Sequence, residues 1–292
     1  MGETVFREVL DGLTIERVAR NSEYTMPSKH LHMEYEIYYL LNGEGYYFIE
    51  KETYHIKKGS LVLIGQGLIH KTSYTKEDYH DRILIELKEG ELESFFLLGG
   101  SGSLKDFFDQ HTGVFEFGDQ EQSYVESILF GIAEEIQKKQ EGYEWMVKLK
   151  LTELLILIMR SKNLYHRTER ASYLTNKHKK VQQIADYIMN HYSSELSLSQ
   201  LSQQFYVSKF YLSRVFKEVT GFSVTEYINI LRIKKAKELL EKETLNITEI
   251  SECLGYDSIT YFEKVFKRYT QRSPLKYRKD YLEKKKISMR VI

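Results

Sequence analysis

The sequence has little cysteine and no long apolar run. Its 292 residues include a single cysteine, Cys253, which excludes an internal disulfide framework and suits a reducing compartment. The longest apolar run, Leu154 to Met159, has six residues, whereas a membrane-spanning helix needs about 20. The N-terminal residues lack the apolar stretch of a secretory signal. We therefore expect a cytoplasmic protein with no membrane partner.

Net charge is also absent, because 42 Lys/Arg balance 42 Asp/Glu. This balance is a cancellation between two halves of the chain. Residues 177–292 carry 22 Lys/Arg against 13 Asp/Glu, a net +9, and residues 1–176 carry 20 against 29, a net −9. A basic C-terminal half indicates a polyanionic partner such as nucleic acid. The apolar content of 42% is enough for two cores of about 150 residues each.

The acidic half divides into a β-rich part and a helical part. Between Glu34 and Leu87, short runs of Tyr, Ile, Val and Phe alternate with glycine-containing turns, which predicts a sandwich or small barrel. Apolar residues then recur at helical spacing over 119–140 and 143–162. The second of these helices is apolar on more than one face, so we expect it to contact a partner chain as well as its own domain. We predict a linker over residues 166–180.

The basic half contains an internal repeat. Residues 196–228 and 245–278 align with pairs such as Phe216/Phe266 and Lys217/Lys267 50 positions apart. Each unit reads as a short helix, a tight turn and a longer helix, with capping signals at the helix starts. Two such units are two helix-turn-helix motifs. In each longer helix an apolar stripe opposes a stripe of Ser, Thr, Arg and Lys, which are side chains that read base edges in a major groove.

Residues 181–280 resemble the DNA-binding domain of the AraC/XylS family of transcriptional regulators. The resemblance lies in Tyr211–Lys217, Leu231–Leu240 and the segment from Ile247 to Pro274. It implies an all-α domain of two helix-turn-helix units joined by a long helix, entering successive major grooves. From it we predict that DNA is contacted by Lys209, Phe210, Ser213, Arg214, Lys217, Ser258, Ile259, Thr260, Glu263, Lys264 and Lys267. Gln271, where the family usually has glycine, and the apolar Ile259 depart from the pattern, so the second unit is expected to read bases only in part.

The segment from His30 to Gly43 has the spacing H-x-H-x3-E-x6-G, and His70 follows a second glycine-rich turn. His30, His32 and Glu36 share parity, so on a strand they would face the same side. Both segments resemble the two motifs of cupin barrels, which implies a cupin-like β-barrel with flanking helices. We predict ligand contacts from His30, His32, Glu36, Tyr38, Tyr47 and His70. A divalent transition metal held by His30, His32, Glu36 and His70 is the alternative.

These observations predict an α+β chain of two functional parts. The expected segments are an effector-binding domain over residues 1–100, a helical dimerisation segment over 101–165, the linker, and a DNA-binding domain over 181–282. The expected function is a homodimeric, sequence-specific transcriptional regulator that is not an enzyme. It would be an activator that works with RNA polymerase under the control of a small molecule. The tyrosines Tyr35, Tyr38, Tyr46 and Tyr47, with His55, favour a carbohydrate as that molecule.

Two other functions remain open from the sequence. One is a metal-binding sensor or metalloenzyme fused to a DNA-binding module, which the His/His/Glu/His set would support. The other is an architectural DNA-binding protein whose barrel serves only for dimerisation. That protein would bind DNA with an affinity that no small molecule changes.

Overall fold

A computed structural model describes residues 2–21, 32–74, 79–98, 102–161, 174–242 and 244–288. The strands are β1 (Gly2–Leu10), β2 (Leu13–Arg20), β3 (Tyr35–Asn42), β4 (Glu44–Ile49), β5 (Glu52–Lys57), β6 (Leu61–Ile64), β7 (His70–Tyr74), β8 (His80–Leu87) and β9 (Gly113–Phe115). The helices are α1 (Glu93–Leu98), α2 (Leu104–His111), α3 (Asp119–Lys138), α4 (Tyr143–Arg160), α5 (Asn176–His191), α6 (Leu198–Gln204), α7 (Lys209–Thr220), α8 (Val224–Lys242), α9 (Ile247–Cys253), α10 (Ile259–Thr270) and α11 (Pro274–Ser288). The chain forms two compact units that divide between Lys179 and Lys180.

The N-terminal unit contains two antiparallel sheets. The six-stranded sheet has the order β1-β2-β8-β3-β6-β9, and the three-stranded sheet has the order β5-β4-β7. Their inner faces share one apolar cluster, to which Tyr38 of β3 and Ile49 of β4 belong. The other face of the large sheet packs against the helices, through residues such as Ile37 and Tyr39. The alternation of β3 therefore sends even-numbered residues between the sheets and odd-numbered residues towards the helices.

Sheet and helices share a single hydrophobic core. This core joins Ile85 of β8 and Phe108 of α2 to Leu129 of α3 and Leu154 of α4. In addition, β9 lies within the segment predicted as helical and pairs with β6, so it forms the edge of the six-stranded sheet. The boundary predicted at residue 100 therefore does not separate two cores, because neither the outer sheet face nor the apolar stripes of α3 and α4 could be buried without the other.

The C-terminal unit consists of helices in the described ranges, as the sequence predicts. Capping boxes start α6 at Ser197 and α9 at Asn246, and Ser223 pairs with Glu226 in the same way ahead of α8. The linker prediction is wrong for residues 176–180, which form the first turns of α5. Thr175 Oγ1 contacts the backbone N–H of His178 there, as an N-cap does. At the other end α11 continues past residue 282 to Ser288.

None of the helices in the described ranges combines the length and the apolar composition that a membrane crossing requires.

Candidate DNA-binding surface and effector site

The first recognition helix is α7, the longer helix of the first helix-turn-helix unit. Ser208 Oγ accepts a hydrogen bond of 3.1 Å from the Tyr211 N–H and fixes the start of the helix. The buried residues are those of the predicted stripe, Leu212, Val215, Phe216 and Val219. The residues predicted to contact DNA are all exposed, namely Lys209, Phe210, Ser213, Arg214 and Lys217. The helix thus presents one aromatic, one hydroxyl and three cationic side chains to its surroundings.

The second recognition helix, α10, is built in the same way. Phe262, Val265 and Phe266 are buried, while the predicted contacts Ser258, Ile259, Thr260, Glu263, Lys264 and Lys267 are exposed. Ser258 is the N-cap, and its Oγ accepts from the Tyr261 N–H. Its side chain therefore has a structural role whether or not it contacts DNA.

The long helix α8 joins the two helix-turn-helix units, and it carries a buried arginine. Ile233, Ala236 and Leu240 of α8 pack into the same cluster as Phe266. Arg232 is 8% exposed and donates hydrogen bonds to the carbonyls of Tyr192 at 2.7 Å and Ser194 at 2.9 Å. These bonds tie the segment after α5 to the long central helix. The apolar cluster therefore fixes α10 against α8, and the buried arginine fixes the segment after α5 against the same helix.

Two exposed aromatic residues on this surface were not among the DNA contacts predicted from the sequence. Tyr206, in the turn before α7, is 96% exposed with φ +54°, and Tyr261 of α10 is 49% exposed. The repeat itself carried the signal for Tyr206, because Gly255, 49 positions later, has φ +73° in the equivalent turn. A non-glycine residue held in this region of φ stores strain, which is typical of functional positions.

The second candidate site lies between the two sheets of the N-terminal unit, around Glu36. Glu36 is 0% exposed, and its Oε1 accepts a 2.6 Å hydrogen bond from the Tyr47 hydroxyl. Its Oε2 lies 3.3 Å from His32 Nε2 and 3.3 Å from His70 Nε2. One ligand atom from each of His32, Glu36 and His70 lies within 4.8 Å of the other two. Three residues from distant parts of the sequence thus converge on one point.

The backbone orients both imidazoles. His70 Nδ1 lies 2.9 Å from the carbonyl of Leu68, and His32 Nδ1 lies 3.2 Å from that of Glu34. A carbonyl oxygen only accepts hydrogen bonds, so each Nδ1 carries the proton. In a neutral ring each Nε2 then directs a lone pair towards the Glu36 carboxylate. This geometry requires a cation at the centre, either protons on the imidazoles or a metal ion.

The electrostatics of the site favour an ionised carboxylate. Burial alone would raise the pKa of Glu36, but the charge of His70 and the hydrogen bonds that Glu36 accepts hold this pKa well below its usual value. Burial would lower the pKa of His32, and the neighbouring Glu36 raises it overall. Glu86, which the sequence analysis did not identify, faces the same cluster. Burial, followed by the charge of Glu36, raises the pKa of Glu86.

The remaining predicted ligand residues are only partly brought together. The ring of Tyr38 lies 5.4 Å from that of Tyr47, and both residues are buried. Tyr35 instead faces the helices and stacks on Phe108 at 4.6 Å, because its odd position places it on the opposite side of β3. Tyr46 precedes Tyr47 on β4, so its side chain points to the opposite face of that sheet, away from the cluster. His30 lies outside the described residues.

Comparisons with known proteins identify both units. The family model described as an AraC-like ligand-binding domain matches residues 15–155, and the model described as a helix-turn-helix domain matches residues 201–280. YfiF of Bacillus subtilis, an uncharacterised HTH-type transcriptional regulator, is 24% identical over 262 residues, which cover 90% of this chain and 82% of that protein.

Two further similarities were found. The Msm operon regulatory protein of Streptococcus mutans is 36% identical over 100 residues, 34% of this chain. The match spans 36% of that relative's own length. The crystal structure of wild-type ToxT from Vibrio cholerae with bound unsaturated fatty acid covers 94% of this chain and 97% of its own, at 15% identity and a TM-score of 0.38.

The two family models together fit the fold described above. The ligand-binding model covers the sheets apart from β1 and the start of β2, with α1 to α3 and most of α4, and the helix-turn-helix model covers both recognition helices. YfiF, which is described as an HTH-type transcriptional regulator, aligns along 90% of the chain. The chain thus combines an AraC-like ligand-binding domain with a helix-turn-helix domain, which is the domain architecture of the AraC family of transcriptional regulators.

Proposed function

We propose that this regulator binds a specific operator through α7 and α10 and activates transcription when an effector occupies the site around Glu36. The observation that carries the proposal is the pair of recognition helices with equivalent scaffolds and exposed polar faces. On this proposal the protein acts in the cytoplasm, contacts RNA polymerase at the promoter and has no catalytic activity of its own.

The two helices are proposed to divide the work. Arg214 and Ser213 give α7 the side chains that form specific hydrogen bonds with base edges, and Lys217 is placed for a phosphate. In α10 the exposed Glu263 and Ile259 suit cytosine and the thymine methyl group. Lys264 and Lys267 supply charge towards the backbone. The first unit would therefore contribute most of the sequence preference.

Selection of DNA from a random pool tests the operator proposal. The full chain is expected to enrich duplexes that share two short blocks about one helical turn apart. Arg214→Ala should lose the preference within one block, while Glu238→Ala, a change on the exposed surface of α8, serves as the matched control and should enrich the same sequence. Enrichment of no sequence by the wild-type chain would overturn the operator proposal.

The effector site is proposed to accept a small molecule that bonds to the polar cluster of His32, Glu36, Tyr47 and His70, with Tyr38 beside it. A carbohydrate suits this set, because hydroxyl groups both donate to a carboxylate and accept from imidazole. Because Glu36, Tyr47 and His70 are at most 1% exposed, a sugar would require the site to open. A thermal-shift screen of sugars, followed by DNA affinity with each hit, tests the linkage between sites.

A divalent transition metal is the second candidate, and one distance favours it. Both Nε2 atoms lie 3.3 Å from Glu36 Oε2. Ligands about 2.1 Å from a tetrahedral ion are separated by about 3.4 Å. Two imidazoles and a carboxylate suit Zn²⁺, Fe²⁺ or Mn²⁺, and the described residues would hold the ion through His32, Glu36 and His70. Bound there, the ion would attract an effector's oxygen atoms to its open positions.

Metal analysis of protein purified without chelators separates the two candidates. If the site holds a metal, the wild-type chain contains it stoichiometrically and Glu36→Gln loses it. Tyr47→Phe removes a hydrogen bond to the ligating carboxylate and should weaken metal binding by about 10–100-fold. Tyr38→Phe is the matched control, because the Tyr38 ring lies beside Tyr47 without a bond to Glu36 among the described contacts. If the wild-type protein contains no metal, the organic effector remains as the only candidate ligand.

Two copies of the chain are proposed to bind one operator, because pairing raises the apparent affinity through effective concentration. The exposed apolar side chains of α4 support this proposal. An operator affinity that no sugar or metal changes would instead favour an architectural protein. Light scattering that shows a monomer on DNA would contradict the dimer.

A further inference from the structure

We propose that the N-terminal unit has a second ligand site, a pocket between α1 and α4 that binds a small aromatic carboxylate. The site around Glu36 lies between the two sheets, whereas this pocket lies among the helices on the other side of the large sheet. Its buried lining residues, Phe96 and Leu155, belong to the core that joins this sheet to the helices. The pocket is therefore separate from the proposed effector site, and the inference does not depend on that site.

The size and the walls of the pocket set the kind of molecule that it accepts. Its volume is about 260 Å³. Pockets for drug-sized ligands measure about 300–1,000 Å³, so this one suits a molecule of roughly a dozen non-hydrogen atoms. The apolar walls are Phe95, Phe96, Leu155, Ile156 and Met159. Because aromatic side chains favour edge-to-face and offset contacts with other rings, a ligand with one aromatic ring matches these walls.

The helix α4 contributes one continuous face to the pocket. Its lining residues are Thr152, Leu155, Ile156, Met159 and Arg160, and their spacing of three and four residues keeps them on one side of the helix. Thr152 and Arg160 are eight positions apart, which is about 12 Å along the axis. Side chains on a helix lean towards its N-terminus, so Arg160 extends back over the turn that holds Ile156. The face thus has an apolar middle, a hydroxyl at one end and a cation at the other.

The polar groups of the pocket determine the charge of the ligand. Among the lining residues, all of which are described, Arg160 alone is charged. The carboxylate of Glu153, seven positions earlier, accepts a hydrogen bond from the Tyr124 hydroxyl. Thr152 Oγ1 already donates its hydrogen to the Lys148 carbonyl at 2.8 Å. A planar guanidinium binds a carboxylate through two parallel hydrogen bonds, so the acid group of the ligand belongs at Arg160 and its ring at the apolar walls.

Calorimetric titration of the full chain with hydrocinnamate, a phenyl ring on a short carboxylate chain, tests the site. A ligand of this size is expected to bind with a Kd on the order of 0.1 mM. Hydrocinnamamide has the same shape without the charge and should bind at least about 10-fold more weakly. Arg160→Gln should reduce the affinity for the acid to that for the amide. Arg160→Lys keeps the charge but loses the paired hydrogen bonds, so its affinity for the acid should be intermediate.

Arg7→Gln is the matched control, since it removes an exposed arginine from β1, outside the pocket, and should leave both affinities unchanged. Ile156→Trp fills the pocket from a position that is 39% exposed and should abolish binding of acid and amide alike. The proposal is overturned if hydrocinnamate does not bind, if the amide binds as tightly as the acid, or if Arg160→Gln leaves the affinity for the acid unchanged. An affinity that falls as the protein concentration rises also overturns it, because a second copy of the chain would then cover the pocket.

Discussion

Replacing Gln271 with glycine should stabilise the C-terminal unit. Gln271 ends α10 with φ +60°, and its N–H donates to the Lys267 carbonyl at 2.9 Å. Gly221 ends α7 in the same way, with φ +86° and a bond to Lys217 of the same length. One cap thus has the residue that this conformation favours, and the other has a side chain that it disfavours.

The magnitude follows from three contributions. A side chain in the left-handed region costs roughly 1–2 kcal/mol. Glycine loses more backbone entropy on folding, which returns about 0.5 kcal/mol. The exposed bond from Gln271 Nε2 to the Arg268 carbonyl, at 3.2 Å, contributes little because water replaces it readily. We expect a net gain of about 0.5–1 kcal/mol for Gln271→Gly and a loss of about 1 kcal/mol for Gly221→Ala.

Urea unfolding followed by helical circular dichroism measures both changes. With a slope of about 1.5 kcal/mol/M, Gln271→Gly should raise the midpoint by roughly 0.3–0.7 M. Trp145 lies in the other compact unit, so its emission provides an internal control. The urea midpoint that this emission reports should not change. The urea midpoint of Gln271→Asn should lie between those of the wild type and Gln271→Gly, since asparagine tolerates this conformation. An unchanged or lower midpoint for the glycine variant would refute the reasoning about strain.

Further substitutions test the packing and caps of the same unit. Gly255→Ala should destabilise it by about 2–4 kcal/mol in urea melts, because a Cβ there would lie 2.2 Å from the Ser193 carbonyl oxygen and φ is positive; a melt within 0.5 kcal/mol of wild type would contradict this. Phe216→Ala, at a site that is 0% exposed, should cost about 3–5 kcal/mol and abolish DNA binding at 37 °C. Asn246→Ala removes the N-cap of α9 and should cost about 1 kcal/mol, with a loss below 0.3 kcal/mol speaking against the cap.

The C-terminal unit is the part of the fold that sequence predicts best. Its signals are local. Each helix-turn-helix unit contains a cap such as Asn246, an apolar stripe and a turn, and the structure has all three. The repeat also made Phe216 and Phe266 equivalent, and both are fully buried. The contacts of Arg232 with carbonyls about 40 residues away left no such signal, because they depend on how the helices pack.

In the N-terminal unit, parity predicted part of the site. Parity assigned His32 and Glu36 to the same side, and His32 Nε2 lies 3.3 Å from Glu36 Oε2. The pairing of Glu36 with His70, 34 positions later, came from the family motif rather than from spacing. Tyr35 was misassigned as part of a ligand-binding wall, since composition counts tyrosines without regard to the face they occupy. The strand β9 has three residues and exists through its pairing with β6, which no local pattern indicates.

The measurement that tests the central claim most directly is the affinity of two variants for the selected operator and its single-base substitutions at several salt concentrations. Arg214→Ala should lose roughly 1–3 kcal/mol on the operator and relax the preference at one base pair. Lys217→Ala should weaken all sequences alike and lower the salt slope by about 1. Equal weakening of every sequence by Arg214→Ala would contradict the assignment of α7 as the helix that reads the bases.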